Sequence, residues 1–408
     1  FHIGHLRSTI IGNFIGNIFA AFGHNVIRIN YLGDWGTQFG YLKLGMDMSN
    51  ISQEQFVNDP IKHLFHAYVK ANKAGESDPS IPQKARDIFN QMEISETSNL
   101  DEWNRYREIT VTEMETLYAR LGVKFDIYSW ESDYRKANIL KQLNSMEKQG
   151  FLRTEDDGKK SFVLGDEEKP VTILKSDGST LYLTRDIAAI MDRQERFKFD
   201  RMYYVAGNEQ QLHFQTLFKI AKMLGVSNTE RLHHVKFGKV EKMSTRKGNV
   251  VFLSDILDEI REIMYEKQLK SENTKIDLDV DNKRTADILS VSALITFELA
   301  RKATASYEFD MENIMTETSS SAKSFQITHA RLCNLEVITG IRPALEANIE
   351  YLSEPEALNL IYELAQFPEV FYGTKQKLAA CRLLSYMNSL NARTKSALKV
   401  LNIKNESN

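Results

Sequence analysis

The sequence predicts an α/β chain: a parallel sheet covered by helices and broken by insertions, followed by an all-helical region. Three observations lead there. Strand-like and helix-like stretches alternate over residues 1–275. Two blocks, about 46–118 and about 150–180, interrupt that alternation. After about residue 275 the strand signals vanish and glycine nearly disappears. We therefore expect one domain over 1–275 and a helical one over 276–408, and a chain of 408 residues is too long for a single core.

The elements follow in order. Leu6, Ile10, Phe14 and Ile18 form one apolar stripe, with Ile11, Ile15, Phe19 and Phe22 beside it, and Gly23 stands where a helix stop belongs. Asn25–Asn30 reads as a strand and Gly33-Asp34-Trp35-Gly36 as a tight turn. The block at 46–118 is polar and helical in pattern. Phe125–Tyr128 is strand-like, and short strands broken by Asp157-Gly158 and Asp177-Gly178 suit hairpins. Alternation resumes with a strand at Thr180–Leu183, a helix at Ile187–Phe197, a strand at Met202–Ala206 and a helix at Gln210–Leu224 ended by Gly225. His234–Val240 is the last strand, and a helix starts near Leu253.

Bulk properties narrow the class. The net charge of -3 neither requires nor excludes a nucleic-acid partner. Cys333 and Cys381 provide neither a disulfide framework nor metal-ligand spacing. No apolar run reaches the roughly 18 residues that a membrane span needs.

Two motifs carry chemistry. His2-Ile3-Gly4-His5 sets two imidazoles and a glycine at the start of a helix, where the dipole and close backbone approach favour phosphate. Lys242-Met243-Ser244-Thr245-Arg246-Lys247-Gly248 groups three cations with small hydroxyl residues after the last strand, as a loop closing on a triphosphate would. Taken singly, the first reads as well as surface histidines, and the second as the solvated basic turn that a charge run usually is. Taken together, both can meet at the carboxyl edge of a parallel sheet, where such folds bind ligands.

These motifs resemble the HIGH and KMSKS signatures of class I aminoacyl-tRNA synthetases. Thr245 and Arg246 replace the family's second lysine and last serine, so Lys242, Arg246 and Lys247 all remain candidates for the pyrophosphate contact. Longer blocks resemble arginyl-tRNA synthetase: HLRSTIIGNFIGN at 5–17, INYLGDWGTQFG at 29–40, YLTRDIAA at 182–189 and MSTRKGNVVFL at 243–253. The first block and Thr328-His329-Ala330-Arg331-Leu332 are most similar to the animal mitochondrial form.

The resemblance implies a Rossmann-like catalytic domain followed by an anticodon-binding domain. It implies ATP-dependent activation of L-arginine, transfer to tRNA for arginine, and activation that waits for bound tRNA. The arginine contacts fall on His5, Tyr182, Asp186 and Gln210, with Glu131 a second carboxylate. A carboxylate is the natural planar partner for a guanidinium, and Tyr182 adds a ring face and a hydroxyl. Asp186 could instead cap its helix, Tyr182 serve the sheet and Gln210 open a helix. ATP contacts are expected from His2, Gly4, His5, His234, Phe237, Gly238, Lys242 and Met243, and catalytic roles from His2, Gly4, His5, Lys242, Ser244, Arg246 and Lys247. Gln38 is expected to face the pocket, His213 to stand behind it, and the Gly33–Gly36 turn to be structural.

From Lys375 to Lys404 the chain has seven basic residues and no acidic one. Arg331, Lys375, Lys377, Arg382, Arg393 and Lys395 are therefore expected to contact tRNA, with a solvated helix face as the plain alternative. Magnesium is expected with ATP, with no metal held by the protein itself. A monomer in the mitochondrial matrix is expected, with the cytoplasm as the alternative compartment. The resemblance also implies a chain cut at both ends, because a Ser-Pro-Asn-like stretch and a last helical pair are missing, and it sets Ser319–Ala322 where the family has Gly-Asp-Thr-Gly. Two other classes stay open: a nucleotidyltransferase sharing the histidine signature, and a synthetase-derived RNA-binding protein without activity.

Overall fold

A computed structural model of the chain describes residues 3–49, 51–52, 56, 59–94, 100–165, 169–227, 229–241, 252–270, 281–309, 319–340 and 352–401. The chain divides into two compact units, one of Phe1–Val26, Val205–Asn208 and Lys236–Asn408, the other of Ile27–Tyr204 and Glu209–Val235.

Helix α1 spans Ile3–Ala21 and buries Leu6, Ile10, Ile11, Ile15, Ile18 and Phe19. Each such side chain contributes about 1.5–3 kcal/mol. Gly23, at φ 79°, closes the helix with its N–H on the Ala20 carbonyl, while the His24 N–H reaches the Phe19 carbonyl.

Strand β1 is Ile29–Leu32, so Asn25–Arg28 are not strand as the sequence suggested. Its start is set by pairing: β1 lies parallel to β2, Ile127–Trp130, with Ile29 opposite Ile127 and Leu32 opposite Trp130. Between them come helices α2 (Thr37–Met48), α3 (Pro60–Ser77), α4 (Ser80–Ile94) and α5 (Asp101–Arg120), the helical block that the sequence indicated. Trp35, fully buried, packs edge-on against Phe89 and Trp103 at centroid distances of 5.6 and 5.4 Å.

Glu131–Tyr134 forms a 3₁₀ turn, followed by α6 (Lys136–Lys148). Strands β3 (Leu152–Thr154), β4 (Lys160–Phe162) and β5 (Val171–Leu174) make an antiparallel sheet. The turns lie at the expected Asp-Gly pairs: Gly158 and Gly178 take φ 83° and 76°, and Asp157 and Asp177 accept the N–H two residues on.

The expected strand at Thr180–Leu183 is absent. Helix α7 begins at Tyr182 and runs to Phe197. Thr180 makes one bridge to Leu174, and Thr184 Oγ1 accepts the Leu181 N–H, which starts the helix early. Then come β6 (Met202–Gly207), α8 (Gln211–Met223) and β7 (Leu232–Phe237), which pairs with β6. Gly225, at φ 66°, follows α8 as expected.

The unit that contains α1 continues with β8 (Val240–Glu241), so the expected strand at His234–Val240 breaks in two at Gly238. Helices α9 (Leu253–Leu269) and α10 (Asn282–Leu299) pack together. Strand β9, Tyr307–Glu308, then pairs parallel to β8, an exception to the all-helical pattern expected after residue 275. Two residues are too few to show an alternation; the strand exists because β8 offers its edge. Helices α11 (Ser319–Thr339), α12 (Pro355–Ala365), α13 (Phe367–Lys377) and α14 (Ala380–Val400) complete the unit.

Candidate functional site

The site is built from the carboxyl ends of β1 and β2 and the first turns of α7. Because Leu32 and Trp130 are opposite in the parallel register, the chain leaves the two strands side by side at Gly33 and Glu131. Gly33 has no side chain there, and a Cβ would stand 3.5 Å from Glu131 Oε1. Burial pushes the Glu131 carboxyl up to about 7; Arg185 opposes this and Asp186 adds to it.

Tyr182 and Asp186 are four residues apart on one helix, not a strand end and a helix start. Tyr182 is 57% exposed, and Asp186 is half-buried with Oδ2 2.6 Å from His213 Nε2. Asp186 lies too far into α7 to be its cap. His213 thus stands behind Asp186 and fixes one carboxylate oxygen. Burial and Asp186 together raise Tyr31, whose ring carries the Arg193 guanidinium 4.5 Å from its centroid.

Gln210 is exposed at the cap position of α8. Gln38 folds back onto its own turn, with Nε2 3.3 Å from the Trp35 carbonyl. The Gly33–Gly36 turn is a structural knot. Asp34, 4% exposed, accepts from Ser132 N and Oγ at 3.0 and 2.7 Å and faces Arg107 Nε at 3.4 Å. Burial still moves Asp34 up to about 6. Trp103 donates to the Asp34 carbonyl and Trp35 to Glu93, at 3.2 and 2.7 Å. The His234 ring lies 4.5 Å from the Phe214 ring.

In the other unit, His5 is exposed in the first turns of α1, and its carbonyl accepts from Ser8 and Thr9 hydroxyls at 2.9 Å. Gly4 is half-buried beside it, and Phe237 is half-buried at the end of β7. Gly238 permits a close backbone approach, since a Cβ would come within 2.5 Å of the Ala305 backbone. Its N–H donates to the Ala303 carbonyl, and its carbonyl accepts from Arg7 at 2.6 Å. His2, Lys242, Met243, Ser244, Thr245, Arg246, Lys247 and Lys404 lie outside the described residues.

Among the expected tRNA contacts, Arg331, Lys377, Arg382 and Arg393 are exposed. Lys375 is half-buried, 4.4 Å from the Phe22 ring centroid and 3.1 Å from His24 Nε2. Lys395 is half-buried and donates to Ser324 Oγ, which Asn391 also reaches.

Sequence reasoning missed Arg185, Glu93 and Ser132. Arg185 lies inside YLTRDIAA, next to Asp186, but its burial and its partners are visible only in the fold. Among the described residues no group of three or more His, Cys, Asp or Glu could hold a metal ion, and no helix is long and apolar enough to cross a membrane.

A parallel pair of strands thus leads into Asp34 and Glu131, and a helical region follows later in the chain, an arrangement compatible with a class I synthetase. Residues 1–311 match the family model described as tRNA synthetases class I (R), catalytic domain, and 325–408 match the DALR anticodon binding domain. The chain belongs to the arginine family of class I tRNA synthetases. It is 37% identical over 410 residues to a Mus musculus protein described as "Probable arginine–tRNA ligase, mitochondrial", covering 99% of this chain and 70% of that one. It is 39% identical over 414 residues to the cytoplasmic arginine–tRNA ligase of Saccharomyces cerevisiae, covering 98% and 68%. The arginyl-tRNA synthetase of Plasmodium falciparum superposes with TM-score 0.74 at 25% identity, covering 98% of this chain and 68% of that one. The Thermus thermophilus enzyme shares the fold, with TM-score 0.78 at 18% identity over 98% and 72% of the two chains.

Proposed function

We infer that the chain is an arginine–tRNA ligase. It activates L-arginine with ATP and transfers the arginyl group to tRNA for arginine. The observation that carries this is the pair of carboxylates, Glu131 and Asp186, on neighbouring elements beside the Tyr182 ring in a class I catalytic domain. A guanidinium needs planar anionic partners and an aromatic face, and these residues supply both.

The arginine carboxylate attacks the α-phosphorus of ATP in line, forming arginyl-adenylate and expelling pyrophosphate. The terminal ribose hydroxyl of tRNA then attacks the adenylate carbonyl, and AMP leaves. Positioning and charge stabilisation do the chemistry, with no protein nucleophile. His2 and His5 hold phosphate oxygens, with Gly4 allowing close approach, and ATP arrives with its magnesium. Lys242, Ser244, Arg246 and Lys247 receive the leaving pyrophosphate. His234, Phe237, Gly238 and Met243 border the adenine. Gln210 is a further arginine contact, and likeness to the family's motif supports the same role for His5. Each such contact stabilises the transition state by on the order of 3 kcal/mol.

Residues 1–275 carry the chemistry, and the helical region from 276 onward carries the tRNA contacts of Arg331, Lys375, Lys377, Arg382 and Arg393; Lys395, expected among them, is left out of this set because its ammonium is bonded to Ser324. The protein acts as a monomer, off the membrane, in the mitochondrial matrix. Likeness to mitochondrial relatives supports that compartment, and likeness to the yeast cytoplasmic enzyme keeps the cytoplasm as the alternative. Organelle fractionation of tagged protein and light scattering of the purified protein test these two points.

The deciding assay is pyrophosphate exchange into ATP with each amino acid, with and without tRNA. Exchange is expected only with arginine and tRNA together. Exchange with a different amino acid overturns the assignment, and tRNA binding with no charging favours the inactive RNA-binding class.

A further inference from the structure

Arg185 is the most enclosed charge near the arginine pocket, and the mechanism above gives it no task. Its side chain is 4% exposed. Nη2 is 3.1 Å from Glu131 Oε2, and Nη1 donates to Thr180 Oγ1 at 3.0 Å. Thr180 Oγ1 donates in turn to Glu93 Oε1 at 3.4 Å, the same oxygen that accepts from Trp35. The guanidinium carbon lies 4.8 Å from the Tyr182 ring centroid. A cation in the first turns of a helix opposes the helix dipole. Arg185 is therefore held where it is by acceptors from outside α7, not by any need of the helix.

We propose that Arg185 is a positioning and specificity-determining residue: its fixed guanidinium orients Glu131 for the incoming substrate and favours the anionic carboxylate over the neutral acid, while Glu93, on inserted helix α4, anchors Arg185 through Thr180. This rests on the reading of Glu131 as an arginine contact. The charge matters for selection. Arginine and citrulline share a shape, but only arginine is a cation. An ionised Glu131 rewards the cation, whereas a neutral carboxyl bonds a urea about as well.

Glu131 faces Arg185 and Asp186 from α7 and Asp34 from the turn ahead of α2. Burial and the two aspartates all favour the neutral acid, and Arg185 is the cation opposing them. Losing Arg185 would leave burial and the two aspartates unopposed and move Glu131 further towards the neutral acid.

The test is arginine charging by the full chain with its tRNA, across pH, in Arg185→Met and Arg185→Lys. Arg185→Met is expected to raise the KM for arginine at pH 7 about tenfold or more, with the KM for ATP within about twofold. That deficit should shrink as pH rises above 7, as Glu131 loses its proton without help. The preference for arginine over citrulline in kcat/KM should fall about tenfold. Arg185→Lys keeps the charge, so its KM should rise with no displacement of the pH profile. If Arg185→Met is poorly folded, Arg185→Gln retains a donor without charge and must show the same displaced profile. An unmoved pH profile and an intact citrulline preference in the neutral variants overturn the proposal, leaving Arg185 a packing residue. A wild-type chain that charges no arginine overturns the pocket reading itself, before any variant is compared.

Discussion

At the scale of single residues, the pocket is a small set of charges whose partners lie far apart in the chain. Asp186→Asn removes the carboxylate that His213 orients and leaves the shape nearly unchanged. We expect it to lower kcat/KM for arginine by about 10²–10³, on the order of 3–4 kcal/mol, with the KM for ATP little altered. Steady-state charging kinetics check this. Glu131 gives the wild type a pH signature. The substrate guanidinium stays charged throughout, so the titration of Glu131, with that of Asp34 near pH 6 behind it, sets the profile, and binding favours the ionised form of Glu131. The KM for arginine should fall as pH rises to about 7 and then level. Below that point it should rise about tenfold per unit. A flat profile from pH 5.5 to 8 would place Glu131 outside the contact set. Asp186, Tyr182 and Glu131 were readable as candidate types in the sequence, but the local structure of Tyr182 and Asp186 was misread. An i, i+4 pair on α7 looked like a strand end and a helix start because Thr180 bridges Leu174 only once. Arg185 was not legible, because its partners Glu131 and Thr180 are brought to it by β2 and by the bend after β5.

At the scale of elements, Arg7 joins three of them. Its Nε meets Glu298 on α10 at 2.7 Å, and its Nη1 reaches the Gly238 and Ala305 carbonyls at 2.6 and 2.7 Å. Tyr307 on β9 donates to the same Glu298 at 2.8 Å. Helix α1 and helix α10 thus share one buried ion pair, and Arg7 ties it by hydrogen bonds to the Gly238 link between β7 and β8 and to Ala305. Arg7→Ala would leave Glu298 buried without its cation, at a cost of about 3–5 kcal/mol. Arg7→Met with Glu298→Leu removes both charges and should recover most of that loss. Thermal unfolding of the two variants decides: equal melting temperatures would mean that Glu298 finds another partner. The apolar stripe of α1 was readable from its spacing, and so was the helical block at 46–118. Strand β9 was not, since two residues pair only because the Gly238 backbone can approach Ala305 so closely.

At the scale of the whole molecule, the helical region offers cations of two kinds. Arg382 and Arg393 are exposed, whereas Lys395 is bonded to Ser324 between α14 and α11. Replacing Arg382 and Arg393 with alanine should weaken tRNA binding and reduce the slope of log Kd against log salt by about 1–2. Lys395→Ala should leave that slope unchanged and lower thermal stability instead. Filter binding over a salt series separates the two. The sequence showed the density of positive charge but not which of its members were already engaged, because Ser324 lies 71 residues from Lys395. The ends of the chain carry a related lesson. Phe22, just beyond α1, stacks on Phe371 of α13 at 4.8 Å, with the Lys375 ammonium above it. A protease cut or a cloning boundary near residue 311 would therefore not release a self-sufficient catalytic half. It would strip the opening helix of its aromatic clasp and leave a sticky stump.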